Sequence, residues 1–336
     1  MDSITHTVLG ACVGEALAGK KLGKHAMFWG AIANNIPDID VISSTWLNQA
    51  DSLLAHRGFT HSILFALIFP PVLALVLSRW HRNKQMHFRD WWLIFASGMF
   101  LHIFIDSLTC YGTGWFEPFS HRRVTMNVLF VADPFYTISL LISFVALLII
   151  KGKKKSRRNW TRFGLWLSTL YIGYAFFNKI IIDSDFKKEL VRQNISYSNY
   201  FTTPAPLNNF LWYLVAKNDT GYYIGYHSMF DKKNEMDLNF RRKNENLLSG
   251  LPQDKDLLTL KRFSKDYYAA QKINDTLFLS DIRFGTTGGW ADSSADFVFR
   301  YCLAKDANND LVIQRGRFKS AGKDALTSLW KRICGN

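Results

Sequence analysis

Four strings of this chain bring together side chains able to hold a metal ion: Asp2-Ser3-Ile4-Thr5-His6, Pro37-Asp38-Ile39-Asp40, His56-Arg57-Gly58-Phe59-Thr60-His61, and His102 with Asp106. Imidazole and carboxylate without thiolate suit Zn²⁺ first, with Mn²⁺ or Fe²⁺ as alternatives. The metal set is then His6, Asp38, Asp40, His56, His61, His102 and Asp106. Four histidines and up to three aspartates are enough for one closed site or two open ones, hence one or two divalent ions. An ion with an open position lowers the pKa of its water to about 7, and two ions about 3.5–4 Å apart clamp a phosphoryl group during in-line displacement. Arg57 offers a planar fork for phosphate or carboxylate oxygens. Glu117 and Asp133 complete the catalytic candidates as a base or an orienting group. Capping the turn at Tyr111-Gly112-Thr113-Gly114, or the one at Pro134, is their plainer role.

Each fragment also has a bland reading. His102 and Asp106 are four apart and project from one helix face. An ionisable pair in an apolar segment is costly and marks function by default; a His satisfied by its own Asp inside a bundle is the alternative. Asp38 and Asp40 alone read as a solvated helix end. His56 and His61, five apart, share no helical face, so a turn at Gly58 must bring them together. Thr60 is a candidate cap for the helix that follows. The chain has no HExxH, GxSxG, P-loop or GxGxxG pattern.

The scaffold for these residues is membranous. Residues 134–150 and 62–78 are uncharged apolar runs, the second interrupted by Pro70-Pro71, which predicts a kink. Residues 91–109 and 163–182 are similar in length but carry polar groups. Two weaker segments, 5–18 and 26–36, precede them. Gly10, Gly14 and Ala18 have the spacing that lets membrane helices approach closely, while Glu15 counts against a span. Of 18 basic residues before position 183, 14 lie in three short loops: Lys20, Lys21 and Lys24; Arg79, Arg82, Lys84 and Arg89; and residues 151–162. Loops 37–61 and 107–133 hold only Arg57, Arg122 and Arg123. The contrast puts the basic loops in the cytoplasm, with Trp80, Trp91, Trp92 and Trp160 flanking them as an aromatic belt would. Six segments would leave both termini outside. A topology drawn from Lys and Arg alone thus gathers the His and Asp residues on the outer face.

Residues 183–336 are charged and read as a soluble α+β, mainly β, domain. Residues 210–230 alternate around Asn218-Asp219-Thr220-Gly221, a hairpin signal. Residues 297–318 repeat the design around DANND, residues 276–284 form a third strand, and 241–272 read as helix or loop. The expected fold is an α-helical polytopic membrane domain over 1–182, with about four to six segments, then the extracytoplasmic domain over 183–336. The net charge of +14 concentrates in topology-setting loops, which argues against nucleic acid as a partner. The four cysteines show no CxxC spacing; Cys302 and Cys334 could pair in an oxidising compartment. The N-terminus lacks the basic region and cleavage site of a secretory signal, so Asp2 and His6 are expected to remain.

With their spacing, D-S-I-T-H, P-D-I-D, H-R-G-F-T-H-S and H-x-x-x-D resemble the bacterial membrane-bound metal-dependent hydrolase family, the YdjM-like, LexA-regulated type of inner-membrane protein. The likeness covers roughly residues 1–180. A longer form with a C-terminal soluble domain is also similar across P-A-P-L-N-N-F-L-W at 204–212. The resemblance implies a multi-pass inner-membrane protein with hydrolase chemistry at His6, Asp38, Asp40, His56, His61, His102 and Asp106. A site at the bilayer surface makes a lipid or lipid-linked phosphoester the expected substrate. A transporter or metal-handling protein is the alternative, since intramembrane His and Asp also mark ion pathways. In a third reading the metal is structural and Trp212, Tyr222, Tyr223 and Tyr226 form an aromatic face for a partner, although such residues on a hairpin more often pack across strands.

Overall fold

The computed structural model describes residues 1–81, 85–152, 155–233, 235–251, 254–274, 276–303, 312–313 and 323–335. Arg82, Lys84, Lys153, Lys154, the DANND turn and most of the strand expected at 311–318 lie outside the described residues. By contacts the chain forms two compact units. One comprises Met1–Ser43, Ala55–Phe176 and Pro206–Asn208; the other comprises Ser44–Leu54, Phe177–Ala205 and Asn209–Asn336.

The first unit is helical. It holds α1 (Ser3–Leu22), α2 (His25–Asn35), a 3-10 helix (Pro37–Thr45) continuing past its edge, α4 (Ile63–Trp80), α5 (Phe88–Ser107), α6 (Pro134–Ile149) and the first part of α7 (Lys155–Arg192). The short α3 (Gln49–Ala55) comes before α4 in the chain. Among the described residues α4, α5 and α7 are long and apolar enough to cross a membrane, whereas α6 is apolar but shorter. α4 continues through Pro70 and Pro71, and α7 continues through residue 182, where the sequence suggested a boundary.

Small residues and one buried ion pair explain how α1 packs. A Cβ on Gly14 would run into the Ala26 carbonyl oxygen, and one on Gly10 into the Gly30 carbonyl oxygen. Glycine is what permits that approach. We expect Gly14→Leu to cost about 1–3 kcal/mol or more through overpacking, read as a lower unfolding midpoint in detergent. An unchanged midpoint would show that α1 and α2 are not held this closely. Glu15, the residue that counted against α1 as a span, is neutralised. Arg157 Nε donates to Glu15 Oε1 at 2.8 Å and Nη2 to Oε2 at 2.7 Å.

Among its described residues the second unit contains two four-stranded antiparallel sheets. The first has the order β1 (Asn199–Pro204), β2 (Leu211–Lys217), β3 (Gly221–Ser228), β4 (Asn239–Arg242); the second β5 (Tyr268–Ile273), β6 (Thr276–Thr286), β7 (Phe297–Cys302), β8 (Val312–Ile313). The β2–β3 turn forms because Asn218 Oδ1 accepts from the Thr220 and Gly221 amides at 3.1 and 2.8 Å. Tyr213, Val215, Tyr222 and Ile224 of one sheet share a core with Tyr267, Ala269, Ile282 and Phe297. On the other face of the first sheet, Ile182, Phe186 and Leu190 of α7 cover Trp212, Leu214 and Ala216. Trp212 and Tyr222 are fully buried. Trp212 and Tyr222 therefore pack the domain, as aromatic residues on a hairpin more often do.

β1 was not anticipated, and neither were β4 and β5, because 241–272 reads as charged helix or loop; that segment also supplies α8 (Lys255–Phe263). β6 continues to Thr286, through Gly285 at φ 74°, a conformation that favours glycine. α9 (Lys323–Ile333) packs Leu329 and Ile333 against Ala205 and Leu211. Cys302 and Cys334 are both free thiols.

Candidate metal centre

The centre assembles around α5. Gly98 lies one turn before His102, and a Cβ there would press on Ala33 Cβ at 2.7 Å and the Asn34 amide at 3.0 Å. The close approach brings His102 to the end of α2. There the Asn34 carbonyl, in the last helical turn, has no partner within its own helix. His102 Nδ1–H donates to that carbonyl, which fixes the tautomer and turns Nε2 inward. Asp106, on the same face of α5, brings Oδ2 to 3.7 Å from this nitrogen.

The His56–His61 string supplies the next ligand through a turn. Arg57, at φ 61°, is the residue that bends it, and the Arg57 carbonyl accepts from the Gly114 amide at 2.8 Å. Asp40 then organises the loop. Its Oδ2 accepts from the Arg57 amide at 2.9 Å, from Thr60 Oγ1 at 2.8 Å and from His61 Nδ1 at 3.1 Å, while Oδ1 accepts from His56 Nδ1 at 2.9 Å. Thr60 is thus bound to Asp40, and Ser62 caps α4 by accepting from the Phe65 amide at 3.0 Å. The carboxylate on Nδ1 turns His61 Nε2 toward the same point as His102.

Five distances define that point. His61 Nε2 stands 3.1 Å from His102 Nε2, 3.4 Å from Asp38 Oδ1 and 3.5 Å from Asp106 Oδ2. His102 Nε2 stands 3.4 Å from Asp38 Oδ1 and 3.7 Å from Asp106 Oδ2. Ligand atoms about 2.0–2.2 Å from a tetrahedral ion lie about 3.3–3.6 Å apart. The four atoms therefore already stand near the edges of a metal-sized tetrahedron. Two facing Nε2 atoms repel unless a proton or cation lies between them. Asp106 Oδ2 is buried and, though ion-paired with Arg57 Nε at 3.0 Å, receives no well-aligned hydrogen bond. The donor set fits a divalent ion, and the group Asp38, His61, His102, Asp106 can hold one.

Electrostatics agree. Burial alone lowers the His61 pKa, but the Asp106, Asp38 and Asp40 carboxylates around the ring outweigh it and raise the value to about 10. Burial favours neutral Asp38 and Asp40, yet the His102 and His61 rings beside the first, and the His56 and His61 rings beside the second, hold both well below the usual carboxylate range. The pocket favours positive charge at its centre.

The remaining candidates lie around this core. His6 is fully buried and stacks on His102 at 3.8 Å between centroids, but both its nitrogens face elsewhere: Nδ1 to the Asn34 side chain at 3.2 Å and Nε2 to Asp106 Oδ1 at 3.1 Å. It holds Asp106. Arg57, also buried, places Nε 3.0 Å from Asp106 Oδ2 and donates from Nη1 to Thr109 Oγ1 at 3.0 Å, with its guanidinium over the Tyr111 ring. Its fork is turned to Asp106 and not to an entering anion. Glu117 pairs with His121 at 2.9 Å, and Asp133 caps α6 by accepting from the Phe135 amide at 2.9 Å. Neither joins the cluster, and Asp133 has the capping role. Asn34 and Thr109 were missed; the only signal for Asn34 is a pair of asparagines ending an apolar segment just before Pro37.

A family model described as YdjM inner membrane protein matches residues 1–182, which is more than half of the chain. The chain belongs to this family. Escherichia coli (strain K12) inner membrane protein YbcI is 33% identical over 122 residues, covering 36% of this chain and 69% of that protein. YfhP of Bacillus subtilis (strain 168) is 32% identical over 148 residues, covering 42% of this chain and 44% of YfhP. No solved structure matches. With its apolar helices, family membership makes this an inner membrane protein that carries a His/Asp group able to hold a metal ion.

Proposed function

We propose that the protein is a metal-dependent hydrolase acting at the extracytoplasmic surface of the inner membrane, on a lipid or lipid-linked phosphoester. The near-tetrahedral set of His61, His102, Asp38 and Asp106 carries the reading. A divalent ion at this centre, Zn²⁺ in first place, would supply Lewis acidity and, where a coordination position stays open, a water that ionises near neutral pH. The chain's own residues hold the ligands in place. Asp40 orients the His61 ring, the Asn34 carbonyl orients His102, and His6 and Arg57 fix the two oxygens of Asp106. The concentration of Lys and Arg in loops 20–24, 79–89 and 151–162 supports a multi-pass topology with the cluster and the C-terminal domain outside.

Exposed apolar residues beside the cluster support the substrate class. Ile39 (57% exposed), Val41 and Ile42 lie on the 3-10 helix that carries Asp38 and Asp40; Phe59 lies within the His56–His61 turn. Phe119, 84% exposed, follows the Gly114 contact to that turn. Apolar side chains open to solvent around a polar centre are what contact with a lipid surface requires.

The test is hydrolysis of vesicle-borne phospholipid phosphoesters by detergent-purified protein, with bound metal measured in the same samples. We expect wild type to hold metal and turn over, and His61→Ala to lose at least 100-fold in rate, the size of effect seen when a group stabilising transition-state charge is removed. Metal-free wild type, or His61→Ala with full activity, would end the hydrolase reading. Metal flux into vesicles without hydrolysis would favour transport instead.

A further inference from the structure

The buried tetrahedron has a consequence for the reaction. Its four ligand atoms all come from the protein, and a four-ligand tetrahedral site is closed, as structural zinc sites are; hydrolytic sites keep three protein ligands and one open position. An ion held by Asp38, His61, His102 and Asp106 alone would therefore offer no place for water or substrate.

A second group lies beside the first: Asp38, Asp40 and His56 also bring one ligand atom each within 4.8 Å of one another. Asp38 belongs to both groups. It is also the one member of the buried group that reaches solvent, with its side chain 22% exposed against 0%, 0% and 1% for His61, His102 and Asp106. His56 is more open still, at 33%. Asp40 Oδ2 is consumed by the Arg57 amide, Thr60 and His61, so Oδ1, now bound to His56 Nδ1 at 2.9 Å, is the oxygen left to give. The second group thus has three protein ligands on the solvent side of a closed four-ligand cage.

We propose that the centre holds two divalent ions bridged by the Asp38 carboxylate: an inner ion in the cage, and an outer ion on Asp38, Asp40 and His56 that keeps a coordination position for a non-protein ligand. The inner ion anchors the structure and sets the charge. The outer ion exchanges more readily and is the one a phosphoester oxygen reaches. This inference rests on the hydrolase reading for its purpose, but its test does not depend on activity. To let the outer ion in, His56 and Asp40 Oδ1 must part from 2.9 Å to about 3.4 Å, the tetrahedral ligand spacing, which the half-exposed His56 side chain can do.

Metal-stripped full-length protein in detergent would be dialysed against Mn²⁺ and analysed by mass spectrometry and electron paramagnetic resonance. We expect two ions per chain in wild type, with the spectrum of an exchange-coupled pair. His56→Ala should hold one ion with the spectrum of an isolated Mn²⁺, and Asp38→Ala should lose both. His56→Gln, checked by size-exclusion elution, guards against misfolding, and wild-type stoichiometry alone already decides. A single uncoupled ion in wild type overturns the two-ion centre while leaving a metal-dependent hydrolase standing. Two ions retained in both His56 variants overturn the assignment of the outer site. No ion in wild type overturns both readings.

Discussion

Asp106→Ala is expected to empty the metal centre and lower the unfolding midpoint by on the order of 10 °C. Asp106 Oδ1 receives His6 Nε2 and the Met1 amino group, and Oδ2 faces both Arg57 Nε and the ring nitrogens of His61 and His102. Removing it leaves a buried guanidinium without its counter-charge, and breaking a buried pair on one side costs about 3–5 kcal/mol. The metal effect should exceed the 10–100-fold that loss of an outer partner produces, because a direct ligand is gone. Asp106→Asn separates the two causes. It keeps the shape and the contact to His6 but removes the charge, so it should bind metal poorly while filling the cavity. Thermal unfolding in detergent and metal content are the measurements. If Asp106→Ala holds metal at wild-type stoichiometry, Asp106 is no ligand and serves only to neutralise Arg57.

The second large effect lies in the same helical unit, away from the metal ligands. Arg157→Ala should cost about 3–5 kcal/mol, because it strands a buried Glu15 carboxylate. The guanidinium also donates from Nη1 to the Leu147 and Ile150 carbonyls, both at 2.6 Å, which are free at the end of α6. One side chain therefore ties α1, α6 and α7 together. Replacing both partners, as Glu15→Met with Arg157→Met, should recover most of the loss, since apolar groups of similar volume avoid the desolvation of two charges. Unfolding curves of wild type, Glu15→Met, Arg157→Met and the double variant give the coupling. Equal losses in the single and double variants would mean that the bonds to the α6 carbonyls, and not the ion pair, hold the helices.

Much of this protein was legible along the chain. The apolar runs that become α4 and α6 are continuous and uncharged over residues 62–78 and 134–150, and the signal for such a segment is local. The β2–β3 hairpin was equally local, since Asn218 and Gly221 make the turn from their own side chain and backbone. The metal-ligand candidates could be named because His and Asp in apolar surroundings are costly enough to need a reason.

Residue types and spacing determined by themselves that the chain would build membrane-length helices, carry His and Asp able to hold a metal ion, and end in a strand-rich domain. Only tertiary structure decided which histidines face the centre. His6 and His102 are alike in type and equally buried, but the carbonyl of Asn34, 68 residues from His102, turns one ring inward, while Asp106 and the Asn34 side chain occupy both nitrogens of the other. Only tertiary structure could pair Glu15 with Arg157 across 142 positions, or turn Arg57 to Asp106 and leave Asp133 as a helix cap. The physical reason is range. Periodicity, turn chemistry and charge asymmetry act between near neighbours, whereas a ring's orientation and a buried charge's partner are set by whichever distant backbone or side chain packing brings within hydrogen-bond reach.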